Sequence, residues 1–456
     1  MNMLILSYVA ATAAMIAASL YLVLRLRPLI TTSTMLVGSL LLIYGPAFLI
    51  FALASGEYSL LIRSFIGGGL PPASIFAAIR AKGLDLDAIV TAMNVSVALM
   101  YVGIIIGMEA VSRAFPARTA ILASRLADWN SQPVEDDVRD HAILLVVISM
   151  LLLFMLYVSF SEQHLQTISQ FFSIRNDNAA RYAFRARFGG SSSYWYRLLL
   201  TAVAPMFIIW GLLAGALKRS WPLLAVTGLL FAATMLGRIE TLSKAPPVFL
   251  LLQIIFAGLL VFTNRVSWRV ALFGFLFAVV LVYAAARSFI IFAPGESVGE
   301  MVYSRIFEVE NQTLLENFAV FPQLHPFMMG ANLRPLAMLM GVPFEPAFNI
   351  VGYIWYGSHA ITSPSLFIAD AWADFSYAGV IVYSIIAGAV CRALDLVFIA
   401  RGKSVIGIAV LGATLVGVLT LLTTALNIAL LTGGLLLAPL LAGAIMQATR
   451  GLNRTG

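Results

Sequence analysis

The stretch AILLVVISMLLLFMLYVSF, residues 142–160, decides the fold. It contains no charged residue, and as a helix it is long enough to cross the roughly 30 Å of hydrocarbon in a bilayer. Similar apolar runs recur from end to end of the 456-residue chain, which is 61% hydrophobic and only 11% charged. A soluble domain carries about 25% charged residues. The composition therefore excludes a soluble globular protein and predicts an integral membrane protein with many spans.

The apolar runs predict an all-α, polytopic membrane protein whose residues 1–456 form a single transmembrane domain. The first run, from Met3, lacks a charged leader and is too long for the apolar h-region of a signal peptide, so we interpret it as a span. The candidate spans number eleven, at residues 3–24, 33–55, 88–110, 142–160, 197–217, 221–237, 246–263, 270–293, 376–392, 404–424 and 427–448.

Lysine and arginine predict the orientation of these spans, because short cytoplasmic loops are enriched in both. Basic groups follow the odd-numbered spans, which places the N-terminus outside and the C-terminus in the cytoplasm of a bacterial inner membrane. The net charge of +7 is spread over these loops and does not indicate nucleic-acid binding. The groups are Arg25 and Arg27, Lys218 and Arg219, Arg265 and Arg269, Arg392, Arg401 and Lys403, and Arg450 and Arg454.

Three of the long loops bear on function. The cytoplasmic loop 111–141 is interpreted as a solvated amphipathic segment, with a docking site for a regulatory partner as the alternative. On the periplasmic side, the loop 161–196 is basic, whereas the segment 294–375 is acidic and too long and apolar to be an unstructured loop. Its prolines argue against another straight span. We expect 294–375 to form short helices that lie on, or dip into, the outer leaflet.

The basic loop suggests an anion site. Arg181 and Arg185 are four residues apart and share a helical face, and Arg187 follows them. Guanidinium groups match phosphate oxygens two at a time. The neighbouring aromatic residues Tyr182 and Trp195 would suit sugar rings. We therefore favour a lipid-linked phosphate or pyrophosphate as ligand, while each arginine taken alone could equally extend to lipid headgroups.

Other cations on the same side are candidates for phosphate contacts. Arg238 and Lys244 lie in a short outer turn, where a local ion pair is an equal alternative. Arg287 falls inside a predicted span, where a cation is costly and is by default a functional-site hypothesis. Its alternative role is to pair with a carboxylate of the bundle. Arg305 begins an expected amphipathic helix and could instead form a surface salt bridge with Glu308.

Acids and histidines supply candidates for proton transfer. Asp370 and Asp374 share one helical face and could position a sugar hydroxyl or act as a general base. Pairing with the start of the following helix is an equally simple role. His325 and His359 are more often structural hydrogen-bonding groups than catalysts. The sequence shows no zinc spacing, nucleotide motif or dense oxygen cluster, so we expect neither a metal nor a cofactor.

Two stretches resemble the Wzy-type polymerases of oligosaccharide repeat units, which make O-antigen and exopolysaccharide. They are SRIFEVENQTLLENFAVFPQLHPFMMG (304–330) and SHAITSPSLFIADAWADFSYAGVIVYSIIAG (358–388). In that family a basic residue opens a large outer loop, and a stretch ending near an FxxG element follows. A Pro-Ser pair and an acid then lead into an aromatic–glycine element. DFSYAG takes its place here, without the first glycine. GRIETLSKAPPVFLLL (237–252) is similar to a short basic turn upstream.

This resemblance implies a GT-C-like membrane glycosyltransferase that joins undecaprenyl-diphosphate-linked oligosaccharides at the periplasmic face, without a nucleotide. It implies that Arg305 binds the donor diphosphate, supported by the arginines of the basic loop. Asp370 and Asp374 would serve the acceptor, and a carboxylate or histidine would deprotonate its hydroxyl. A chain-length regulator is a possible protein partner, beside the bilayer itself.

Two other functions share these features. A glycan ligase would transfer a finished polymer from lipid diphosphate to another acceptor, and product length separates it from a polymerase. A flippase or transporter of lipid-linked oligosaccharide would carry charges along a central cavity, whereas the predicted spans here are almost free of charge.

Overall fold

The computed structural model describes residues 3–27, 29–53, 73–136, 141–161, 194–240, 245–263, 309–357 and 363–452, with a few isolated positions between them. Within these ranges the chain is helical and forms no β-sheet. The helices are α1 Met3–Tyr21, α2 Thr32–Tyr44, α3 Pro46–Leu53, α4 Ala73–Ala81, α5 Leu86–Ala114, α6 Pro116–Ala127, α7 His141–Ser161, α8 Tyr194–Leu198, α9 Ala204–Lys218, α10 Trp221–Glu240, α11 Ala245–Phe262, α12 Val309–Val320, α13 Arg334–Met340, α14 Ala347–Tyr356, α15 Phe367–Phe398, α16 Val405–Leu421, α17 Leu426–Leu430 and α18 Leu437–Leu452.

Many of these helices are long and apolar enough to cross a membrane, which supports the predicted all-α membrane class. In the described part of the chain, seven reach that length, and shorter apolar helices cover Pro247–Phe262, Val405–Leu421 and Leu437–Gln447. The predicted span 270–293 falls almost entirely outside the described residues, so the count of eleven stays a prediction. The seven are Met3–Leu26, Thr32–Leu53, Leu86–Ala114, His141–Ser161, Tyr194–Lys218, Trp221–Arg238 and Phe367–Arg401.

The last predicted span is not a single helix. Residues 427–448 are divided between α17 and α18, and Gly434 between them has a φ of 80°. Glycine adopts this left-handed conformation without steric cost, and it ends helices for that reason. The pair Gly433–Gly434 therefore interrupts an apolar run that hydropathy alone treats as continuous.

Helices α5 and α15 cross through glycines, at a contact that we call the glycine seam. A Cβ atom on Gly107 would lie 2.1 Å from the carbonyl oxygen of Ile385, and one on Gly388 would lie 2.2 Å from that of Ile104. Small residues allow such close backbone approach between helices in a membrane. Gly103 lies against Ile381 and Ser384, and Gly107, one turn later, lies against Ile385 and Ala389. The contacts advance in the same direction along both helices, so the two helices run parallel.

Segments predicted to be cytoplasmic meet at one end of the bundle. Arg25 contacts Glu109 at 3.3 Å, and the Nζ atom of Lys218 lies 3.8 Å from Asp136. In the loop 111–141, the indole of Trp129 donates to the carbonyl of Leu260 at 2.8 Å. The amide of Glu135 also donates to the carbonyl of Lys403, at 2.8 Å. These contacts join segments that the charge pattern assigns to one side, while the identity of that side stays a prediction.

The segment 294–375 forms short helices where it is described, namely α12, α13 and α14. Helix α12 differs from the expected surface helix because it packs against both α5 and α15. Leu314, Leu315 and Phe318 are fully buried, and so are the polar residues Asn311 and Glu316 on the same helix. Apolar side chains therefore draw polar ones into the interior of the protein.

Candidate functional site

Helix α15 is broken near its start. Ser376 has a φ of 56° and a ψ of −146°, which few residues other than glycine adopt. A Cβ atom on Gly379 would lie only 2.2 Å from the carbonyl oxygen of Ala371, so the first turns of α15 fold closely against the helix that follows. The break gives Asp370 and Asp374 a short helical segment of their own, ahead of the long apolar helix.

Asp374 holds the loop that carries the FMMG element. Its side chain is fully buried, and Oδ1 accepts hydrogen bonds from the amides of Gly330 at 3.0 Å and Asn332 at 3.4 Å. The hydroxyl of Tyr383 lies 3.4 Å from Oδ2 and donates to it. The main-chain carbonyl of Asp374 also accepts from the amide of Met329 at 3.1 Å. The loop thereby satisfies carbonyl groups that the helix break leaves open.

Asp370 is linked to the same loop through an asparagine. Its buried carboxylate accepts from Nδ2 of Asn332 at 2.8 Å. The Oδ1 atom of Asn332 in turn accepts from the amide of Ala347, at the start of α14, at 2.9 Å. Both aspartates thus lie on one face, as their spacing predicts, and Asn332 joins that face to α14.

Glu316 is a third buried carboxylate, with 1% of its surface exposed. Its Oε1 atom accepts from Nε2 of Gln312 at 2.9 Å and from the hydroxyl of Tyr356 at 2.8 Å. Its Oε2 atom accepts from the hydroxyl of Ser363 at 2.6 Å. Three separate segments therefore converge on one carboxylate. Burial and then the charge of Glu316 raise the pKa of Tyr356, so its hydroxyl stays protonated.

Trp372 connects Glu316's helix with the aspartates. Its indole donates to the carbonyl of Phe321 at 2.9 Å, and its ring stacks on Phe318 with centroids 4.7 Å apart. Phe327 and Tyr377 pack edge-on against it, at 5.5 and 4.9 Å. The rings form an apolar cluster that joins α12 to the start of α15.

The three acids have hydrogen-bond partners of the same kind. We call Glu316, Asp370 and Asp374 the carboxylate assembly. In the described part of the chain their hydrogen-bond donors are all neutral amides or hydroxyls. Burying a carboxylate without a cation is costly. Acids that remain buried in this way are candidates for function, since packing alone does not require them.

The remaining described candidates lie outside the carboxylate assembly. His325 is half-buried, its ring is 5.3 Å from that of Phe321, and its Nδ1 atom lies 2.8 Å from the carbonyl oxygen of Pro326. Arg238 is buried and donates to the main-chain carbonyls of Leu200 and Thr201, at 3.3 to 3.4 Å. These carbonyls belong to a π-helical turn, Leu199–Val203. The proton-transfer role of His325 and the phosphate role of Arg238 stay predictions.

The predicted phosphate cluster falls elsewhere in the chain. The candidates Arg181, Arg185, Arg187, Lys244, Arg287 and Arg305, together with His359, lie outside the described residues. The phosphate-binding arrangement therefore stays a prediction from the sequence.

The described ranges include no group of three or more histidine, cysteine or acidic residues able to hold a metal ion.

Sequence reasoning missed Glu316 and Asn332. Glu316 lies four residues after Gln312, a spacing typical of a solvated helix face, and nothing in the local pattern predicts burial. Asn332 lies two residues after the end of the FMMG element, and that position was its one available signal.

Comparison of the chain with protein-family models, curated proteins and solved structures finds no match. The carboxylate assembly and the sequence motifs that contribute to it are therefore the basis for assigning a function.

Proposed function

We propose that this protein polymerises glycan repeat units carried on a lipid diphosphate, and that the carboxylate assembly serves the acceptor sugar. The observation that carries the proposal is the burial of three carboxylates among neutral donors and aromatic rings, within the segment that bears the polymerase-like motifs. Oxygen acceptors beside aromatic faces suit sugar hydroxyls and rings, and a carboxylate can accept the proton of an attacking hydroxyl.

Charge divides the proposed site into two parts. Buried acids repel a diphosphate, because like charges in a low-dielectric site interact strongly. The donor diphosphate would then bind to the predicted cations, with Arg305 only four residues before α12. The acceptor would lie on the acidic side. The leaving diphosphate needs positive charge and the attacking hydroxyl needs a base, so this separation suits the reaction.

The two elements behind the family resemblance are in contact. The amide of Gly330, which ends FMMG, donates to the side chain of Asp374, which begins DFSYAG, at 3.0 Å. These elements are more than forty residues apart in the chain. Their contact supports the interpretation that they act as one unit at the acceptor.

The test is made in a bacterium that encodes the chain. Removing the gene is expected to abolish the ladder of surface polysaccharide on a gel and to leave products with a single repeat unit. Complementation with the wild-type gene restores the ladder, as does the Glu345→Gln variant, whose exposed acid lies outside the carboxylate assembly.

Other results would contradict the proposal. An unchanged ladder excludes polymerisation. Loss of both the ladder and the single-unit surface products, with polymer retained on the lipid carrier, identifies a ligase. Lipid-linked units trapped on the cytoplasmic leaflet identify a transporter.

A further inference from the structure

We infer that Tyr356 and Glu316 form a proton relay that deprotonates the acceptor hydroxyl, with Tyr356 in contact with the sugar. This inference rests on the proposed polymerase function and assigns its general base, for which sequence reasoning offered Asp370, Asp374, His325 and His359.

Tyr356 and Glu316 differ in their access to the protein surface. Glu316 is 1% exposed, so a sugar on the protein surface has little direct access to its carboxylate. Tyr356 is 45% exposed, and its hydroxyl lies 2.8 Å from Oε1 of Glu316. The tyrosine hydroxyl therefore links the surface to the buried acid over one short hydrogen bond.

Asp374 differs from Glu316 in its contact with a tyrosine. Asp374 also accepts from a tyrosine, but Tyr383 is only 8% exposed and its hydrogen bond is longer, at 3.4 Å. One oxygen of Asp374 is occupied by main-chain amides of the FMMG loop. Asp374 thus maintains the loop, while Glu316 is the assembly's acid whose hydrogen-bonded tyrosine is half-exposed.

Hydrogen bonds orient both Glu316 and the end of α14. Ser363 holds Oε2 of Glu316 at 2.6 Å, and Gln312 holds Oε1 at 2.9 Å. The indole of Trp355, next to Tyr356 in α14, donates to the main-chain carbonyl of Glu316 at 3.3 Å. These contacts fix both the carboxylate and the end of α14, so the hydroxyl and its acceptor are aligned before any sugar binds.

The chemical step balances as follows. The acceptor hydroxyl gives its proton to the oxygen of Tyr356, which passes its own proton to Oε1 of Glu316. The acceptor oxygen forms a bond to the anomeric carbon of the donor, and the bond from that carbon to the diphosphate oxygen breaks. The electron pair leaves with the diphosphate. Glu316 then returns the proton through Tyr356 to solvent.

The experiment uses the purified full-length protein with a synthetic lipid-diphosphate-linked repeat unit as donor. Tyr356→Phe is expected to lower kcat about 100-fold with KM nearly unchanged, since general base catalysis contributes at least that factor. Glu316→Gln should have a similar effect, and Glu316→Asp should recover part of the rate. Tyr353→Phe is the matched control, because it lies one turn earlier on α14 and is similarly exposed, at 48%.

A second readout separates the relay from a structural role. A set of acceptors is prepared, each with fluorine at a different ring position. In one of them the fluorine makes the attacking hydroxyl more acidic. This acceptor should reduce the deficit of Tyr356→Phe, because it depends less on a base. A full rate in Tyr356→Phe, or an equal deficit with every acceptor, overturns the relay while wild-type polymerisation stands. Absence of polymer from the wild-type protein overturns the proposed function, and the relay with it.

Discussion

The glycine seam and the carboxylate assembly both include part of helix α15, but the seam is a backbone contact at glycines, whereas the assembly consists of buried charged side chains. In the seam, Gly107 and Gly388 bring two backbones together without a charged side chain. In the carboxylate assembly, Asp370 and Asp374 of the same helix are buried and held by donors from distant segments. The break at Ser376 separates the two. Close packing after the break anchors the helix, which allows the part before it to hold polar groups that packing alone would exclude.

The largest expected effect comes from breaking the seam. Gly107→Leu places a side chain where its Cβ atom would already lie 2.1 Å from the carbonyl oxygen of Ile385. Backbone cannot yield as a flexible side chain does, so we expect a loss of about 3 kcal/mol or more of stability. Thermal unfolding in detergent measures it. Gly38→Leu is the control, because a Cβ atom there meets nothing within 4 Å. Equal stability of the two variants would contradict the seam's role.

A smaller effect is expected from the carboxylate assembly. Asp374→Ala leaves the amides of Gly330 and Asn332 without their acceptor, at a cost of about 1–3 kcal/mol. Asp374→Asn keeps an oxygen acceptor and should cost less. Limited proteolysis of residues 325–335 should accelerate in the alanine variant alone. Equal proteolysis of both variants would show that the carboxylate does not hold the loop.

The smallest effect concerns a charge outside both regions. Lys403 is buried at the opposite end of the bundle, and burial lowers its pKa below its usual 10.5. The unfolded chain then binds more protons than the folded protein, so stability should rise with pH from the lowered pKa up to about 10.5. Lys403→Met should remove this rise in unfolding measurements across that range, without changing polymerisation. If the variant keeps the rise, another group titrates there.

The sequence predicted the parts of this architecture that depend on local pattern. Apolar runs located the helices, and the spacing of Asp370 and Asp374 placed them on one face. Basic residues grouped segments that do meet at one end, as Arg25 does with Glu109. These features follow from the bilayer and from helical periodicity, which act on each segment separately.

Tertiary packing decided the rest. Serine carries no signal for a positive φ, so the break at Ser376 was not predictable from its residue type. The polar pattern of α12 favours a solvated helix, yet Leu314 and Phe318 bury it against α5 and α15. The environment of Glu316 follows from that burial, because its partners Tyr356 and Ser363 are distant in sequence.

The bond between Asn332 and the amide of Ala347 has a consequence for how the chain can change. This hydrogen bond holds together the two ends of the segment 333–346. Met338 and Leu339 in that segment are 73% and 83% exposed and lie beyond the contacts that fix the acids. Lengthening a loop whose ends are held together costs little conformational entropy. An epitope tag inserted at the exposed residues Met338 and Leu339 would therefore establish from which side of the membrane an antibody reaches them.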